Sequence, residues 1–189
     1  HPNCGCRGGP LGCVKCTKCG RCVTVYGQAF EHSELTDVEL EEIPGDIGSC
    51  YSLTFLNVSS NQLKTLPEEM GQLIHLEKLY AYSNRISVLP DTIGKMQKLE
   101  TLFLGNCYNI PALPANIVNL RSLVTLNLYN CGGLKRLPDD FNNLESLQVL
   151  SLQGAEKLET LDGCGLELCP NLNTLTLWRC IVLTQMPDM

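Results

Sequence analysis

No apolar run in these 189 residues reaches the ~18 that a membrane-spanning helix needs, so no transmembrane segment is expected. Basic residues are in deficit. The chain has 14 Lys and Arg against 20 Asp and Glu, a net charge of −6, and a nucleic-acid partner would want a basic footprint instead. Histidine is rare: His1, His32 and His75 are the three copies, and none stands in a fixed relation to a Ser or Cys nucleophile. Glycine is not gathered into a phosphate-cradling loop, since Cys131-Gly132-Gly133 falls at a recurring turn. Asp139-Asp140 suits the start of a helical turn better than general acid–base work. No enzyme is expected from these absences. No charged-then-apolar leader opens the chain, and His1 is expected to be a processed end or an internal boundary, since a removed targeting segment leaves no trace.

What the chain does have is leucine at a fixed period. Residues 123–147 read LVTLNLYNCGGLKRLPDDFNNLESL, one unit of L-x-x-L-x-L-x-x-C-x-x-L-x-x-L-P-x-x-F-x-x-L-x-x and the start of the next. The apolar residues that open each unit are Phe30, Leu53, Leu76, Leu99, Leu123, Leu147 and Leu172, spaced 23, 23, 23, 24, 24 and 25. Such self-similarity is the signature of a leucine-rich repeat solenoid. The expected fold class is therefore α/β: a curved solenoid with a parallel β-sheet on its concave face and short helices or 3-10 turns on its convex face. It is expected to span residues 30–189 in about six to seven repeats, behind a small Cys-rich segment at residues 1–29.

Row one is degenerate. Leu35, Val38, Leu40, Ile43, Pro44 and Ile47 sit 23 residues before Val58, Asn61, Leu63, Leu66, Pro67 and Met70, among many acids. A polar, atypical first repeat is what a cap requires. In rows two to five, L-x-x-L-x-L predicts a short strand with alternate residues inward. The return side opens on Leu66-Pro67, Leu89-Pro90, Leu113-Pro114 and Leu137-Pro138. Proline is expected there at the first helical position, followed by acids at the positive helix end. This L-P-x-x-I-G return resembles the intracellular plant Ras-group-related leucine-rich repeat proteins. The later rows, as in Leu126-Asn127-Leu128-Tyr129-Asn130-Cys131, resemble the repeats of plant immune receptors. The resemblance implies the solenoid fold and leaves function open, because such repeats serve unrelated partners. Row seven, with Leu172, Leu175, Leu177 and Leu183, ends at Met189 without a charged cap, so a continuing chain or another chain is expected to cover it.

Twelve cysteines fall into two groups. Cys4, Cys6, Cys13, Cys16, Cys19 and Cys22 follow C-x-C-x6-C-x2-C-x2-C-x2-C in a stretch with no apolar periodicity, so they need a staple. C-x2-C pairs grip tetrahedral zinc from a tight turn, and Lys15, Lys18 and Arg21 offset the thiolate charge. Structural zinc is the reading adopted, with disulfides or an iron–sulfur cluster as alternatives. The segment also has the look of the trailing half of a RING finger, but the leading C-x2-C and a closing Cys-Pro are missing. Of the later six, Cys107, Cys131 and Cys180 take the ladder position of Asn61 and Asn84, while Cys50 and Cys169 take the column of Leu73, Met96, Leu120 and Leu144. These five are expected as buried free thiols, and Cys164 alone has no core assignment. Free core thiols imply a reducing compartment, the cytoplasm first and an organelle after removal of a targeting peptide second.

Aromatics are sparse at 6%, yet six of them fall on one face. Alternation gives a centre column of Glu34, Asn57, Tyr80, Phe103, Asn127, Ser151 and Thr176. Beside it run Thr36, Ser59, Tyr82, Gly105, Tyr129, Gln153 and Trp178, with Phe55 one column earlier. Buried aromatics with Arg are what interface hot spots are made of. Phe55, Lys78, Tyr80, Tyr82, Phe103, Tyr129, Trp178 and Arg179 are therefore the candidate partner-binding set. The function expected is a non-enzymatic module that binds a protein partner. The alternatives are an accessory subunit of a larger assembly, or the substrate-recognition part of a RING-type ubiquitin ligase. The zinc reading predicts about one or two zinc ions per chain by elemental analysis. A chain free of metal, lighter by two hydrogens per cysteine pair, would establish disulfides instead.

Overall fold

The computed structural model describes residues 32–186, together with the backbone of two short strands, β1 (Cys13–Lys15) and β2 (Cys22–Thr24). These two pair antiparallel, Cys13 opposite Thr24 and Lys15 opposite Cys22. Cys4, Cys6, Cys16 and Cys19, and the side chains of Cys13 and Cys22, lie outside the described residues, and so does the expected zinc site. The boundary at residue 30 lies outside them too.

Seven parallel strands form a single sheet in chain order: β3 (His32–Glu34), β4 (Phe55–Asn57), β5 (Lys78–Tyr80), β6 (Thr101–Phe103), β7 (Thr125–Asn127), β8 (Val149–Ser151) and β9 (Thr174–Thr176). The register runs His32↔Phe55↔Lys78↔Thr101↔Thr125↔Val149↔Thr174. Each step equals the spacing of the sequence repeat, so one unit of sequence is one row of structure. Alternation then places Leu56, Leu79, Leu102, Leu126 and Leu150 inward, all fully buried, and the residues on either side of each outward.

The return side is built from 3-10 helices at Gly45–Ser49, Glu68–Gln72, Asp91–Lys95, Ala115–Asn119, Phe141–Asn143 and Leu166–Leu168. Proline does not take the first helical position. Pro44, Pro67, Pro90 and Pro114 are the preceding N-cap residues, in extended conformation. There each lends only its carbonyl, which accepts from the amide three residues on at 3.1 Å, so its missing N–H costs nothing. Row five departs from this. Its turn begins at Phe141, behind an Asp140 held left-handed at φ 58° with no side-chain capping bond. Asp139 pairs with Arg136 instead. Asp140 thus stands at the helix start as expected, but its side chain makes no capping bond there.

A left-handed residue precedes each ladder position: Asp37, Ser60, Ser83, Asn106, Asn130, Gly154 and Arg179. Asn and Asp tolerate this region best among residues with a Cβ. At Gly154 an added Cβ would come 2.2 Å from Asn130 Oδ1, so the glycine leaves room there for the Asn130 side chain of the row before. The ladder residues themselves tie row to row. The Asn61 amide donates to Leu35, Val58 and Ser59 carbonyls (2.6, 2.9 and 3.1 Å), and its Oδ1 accepts from Val38 and Leu40 (3.1 and 2.9 Å). Asn84 repeats the arrangement one row on, and Cys107, Cys131 and Cys180 follow with single thiol bonds to the Ala81, Leu104 and Leu152 carbonyls (3.4, 3.3 and 3.2 Å).

The six described cysteines are all unpaired. Cys50 and Cys169 end their 3-10 helices in the column of Leu73, Met96, Leu120 and Leu144. Two expectations need correcting. Cys164 does belong to the core: it is buried within the row-six insertion, its thiol donating to the Leu161 carbonyl at 3.0 Å. Cys169 and Cys180 are only half-buried, because they belong to the last described layers. In that terminal layer Leu172, Leu175, Leu177 and Leu183 are also partly exposed, since no described strand pairs with the outer edge of β9.

Burial pushes the Cys131 thiol up to about 12 from 9.0, with its neighbour Cys107 adding to the effect, and pushes Cys169 up to about 11. Such thiols stay protonated at neutral pH and are poor nucleophiles. Folded Cys131 holds its proton until about pH 12, whereas the unfolded chain gives it up near 9.0. Above that lower value the unfolded state binds fewer protons, so stability is lost as pH rises. Urea unfolding between pH 8 and 11 is expected to show a shallower decline in Cys131→Ala than in the wild type. Equal slopes would mean that Cys131 ionises as readily folded as unfolded.

Candidate protein-binding face

The strands expose one side of the sheet because their other side is taken up by the leucine core. On the open side the register aligns Glu34, Asn57, Tyr80, Phe103, Asn127, Ser151 and Thr176 in one column. Phe55 and Lys78 are neighbours in the column before it. Backbone bonds such as Ser83 N–H to the Gly105 carbonyl (2.7 Å) and Asn106 N–H to the Tyr129 carbonyl (2.6 Å) carry the alignment into the next column, which holds Tyr82 and Tyr129.

Three rings meet across rows two to four. Phe55 stands edge-on to Tyr80, with centroids 5.3 Å apart and planes at 84°, and Tyr80 stacks on Phe103 at 4.8 Å and 12°. All three are half-buried, packed on one another and not into the core. Lys78 is exposed beside them, and a cleft of about 380 Å³ opens there between Glu34, Thr54, Phe55, Glu77, Lys78 and Tyr80. Thr54, Glu77 and Glu34 were not among the candidate residues. Their place is set by the row-to-row step, with Thr54 and Glu77 on the column just outside the strands.

The remaining candidates are set apart. Tyr129 is 37% exposed and lies beyond Gly105, while Trp178 is 67% exposed two rows further on, past Gln153. Arg179 places its guanidinium 5.6 Å from the Trp178 ring centroid, a cation–π contact within the pair. The eight residues therefore divide into a ring cluster with Lys78 at one end and a Trp178–Arg179 pair at the other. Along the rim a side-chain chain that sequence reasoning missed runs from Asn130 to Asn106 (3.1 Å) and from Asn106 to Ser83 (3.2 Å), with the Tyr108 hydroxyl also on Asn106 (3.3 Å). Its signal was present in the run of Ser and Asn ahead of each ladder residue. Ser59, in the Tyr82 column, is fully buried and its hydroxyl has no hydrogen-bond partner among the described residues.

On the return side, two clefts of about 550 and 440 Å³ share Arg136, Leu137 and Asp139, whose charges are already paired. Among the described residues no cluster of His, Cys, Asp or Glu is placed to hold a metal ion, and no helix is long and apolar enough to cross a membrane.

The family model for a leucine-rich repeat region matches residues 69–179, and a single-repeat model, Leucine Rich Repeat, matches residues 52–73. No curated protein matches the chain. Among solved structures, a leucine-rich repeat protein of Leptospira interrogans is 31% identical with a TM-score of 0.52, covering 75% of this chain and 41% of that one. The leucine-rich repeat domain of the type III effector XopL is 27% identical at a TM-score of 0.63, covering 68% of this chain and 43% of the other. An internalin of Listeria monocytogenes, 19% identical at a TM-score of 0.62 over 85% of this chain and 48% of its own, shares the fold. The chain spans less than half the length of each of these relatives. With the repeat steps reproduced in the sheet register and more than half of its residues matched by the family model, the chain belongs to the leucine-rich repeat family.

Proposed function

We propose that this chain is a non-enzymatic protein-interaction module whose partner docks on the open face of the sheet, centred on Phe55, Tyr80 and Phe103. The observation that carries the reading is the ring cluster itself. Three aromatics on successive rows pack against each other outside the core and stay half-exposed. Large rings held in place by one another lose little freedom on binding and shed much water, which is how a few residues come to dominate an interface. Tyr82 and Tyr129 extend the surface, and Lys78 and Arg179 add charge near its two ends. Solenoids of this family offer extended surfaces of this kind to proteins. The protonated, buried thiols give no nucleophile to support catalysis, and unpaired cysteines fit a reducing compartment. The six N-terminal cysteines enter this reading as a zinc-held cap, on the strength of their C-x2-C spacing.

Affinity purification with the intact chain, followed by mass spectrometry, identifies the partner against which variants are then measured. Tyr82→Ala and Phe103→Ala are each expected to weaken that binding by about 1–3 kcal/mol. Thermal unfolding is expected to stay near wild type, because neither side chain reaches the core. Unchanged binding in the double variant would place the interface elsewhere on the molecule.

A further inference from the structure

The ring cluster occupies only the first rows of the open face. Rows four to seven, from β6 to β9, present three outward columns, and no position in them is Asp, Glu, Lys or Arg. Hydroxyls and amides fill most of these places: Thr101, Thr125, Asn127, Ser151, Gln153 and Thr176 are representative. Some of them already bond within the face, as Thr176 Oγ1 does with Ser151 Oγ at 3.0 Å and as Asn127 Oδ1 does with the Tyr129 amide at 3.0 Å. Charge returns on the flanks, at Glu100 and at Arg179. In a chain that is 18% charged, a bare face of this size is a chemical constraint on what can lie against it.

A charged group pressed onto the middle of such a face, away from Glu100 and from the Arg179 guanidinium over Trp178, would lose its water and find no counter-charge. The face therefore selects against charged partners as well as for neutral ones. Hydroxyls, amides and exposed Tyr make up the adaptable hydrogen-bonding chemistry that suits polypeptide. A neutral glycan would instead want open aromatic faces to stack on. On these rows one face of Phe103 lies on Tyr80 and one face of Trp178 lies under Arg179, so Tyr129 is left as a single open ring, short of a stacking platform for a sugar chain.

We infer that the partner meets rows four to seven with an uncharged, extended stretch of polypeptide, an inference that rests on the open face being the binding surface. Four rows at ~4.8 Å spacing span about 15 Å, the length of four or five extended residues at ~3.3 Å each. Binding there depends little on salt, since no ion pair forms across the contact.

The test uses the full chain, immobilised, against a displayed library of random peptides about a dozen residues long, with neutral oligosaccharides screened in parallel. The expected peptides share four or five consecutive residues free of Asp, Glu, Lys and Arg. Their affinity is expected to change less than about twofold between roughly 50 and 500 mM NaCl. Thr125→Lys, with its fold checked by circular dichroism, is expected to weaken them at least about tenfold. Peptides with a charged core and strong salt dependence that are still lost in Tyr129→Ala would overturn the neutral partner and leave the face reading standing. Binders indifferent to both Thr125→Lys and Tyr129→Ala would sink the face reading itself. A library that yields no binder, or oligosaccharides bound in place of peptides, would overturn the polypeptide assignment.

Discussion

Row-to-row backbone pairing is the constraint on which everything else in this molecule depends. A strand of three residues cannot bury an apolar face by itself, and its amides and carbonyls find partners only in the rows before and after it. Once each row must present the same donors and acceptors to the next, the sequence is obliged to repeat, and leucine must recur wherever a row faces inward. The single continuous core from Leu35 to Leu166 is the consequence of that repetition.

The same pairing explains which deviations the chain tolerates. Asn61 and Asn84 satisfy several turn groups at once, whereas Cys107 and Cys131 offer a single weak thiol bond. The exchange works because the thiol is small and apolar enough to sit in the core beside the groups it replaces. It also explains why the thiols are silent chemically: burial in the stack disfavours the thiolate. Rows five and six show where the repeat is loosest. There the return turn starts later in row five, row six is two residues longer than the early rows around Cys164, and the left-handed residues Asp140 and Gly165 take the place of an extended proline before each turn.

Because the inward positions are committed to leucine, whatever is specific to this chain has to lie on the outward columns. Selection there is free of the core, and the result is uneven: rings and two charges in the early rows, hydroxyls and amides without charge in the later ones. That gradient along the stack gives the face two chemically different halves. Fold membership alone says nothing about it, since relatives that share the solenoid need share none of these columns.

Sequence by itself determined the architecture. The spacings of Phe30, Leu53, Leu76, Leu99, Leu123, Leu147 and Leu172 reappear as strand register, and the columns of the open face, Tyr80 beside Phe103 included, follow from a period of two within each strand. It also placed Cys50 and Cys169 in the leucine column, because one repeat unit maps onto one row. What alternation could not supply was the rings' mutual orientation, the burial of Ser59, or the separation of Trp178 and Arg179 from the ring cluster, for these depend on side-chain rotamers and on the distance between rows. Proline's position one residue before the 3-10 turn, the left-handed Asp140 and the burial of Cys164 were likewise decided by tertiary structure. In each case the local pattern permits more than one backbone path, and the neighbouring row selects the one whose carbonyls and amides are paired.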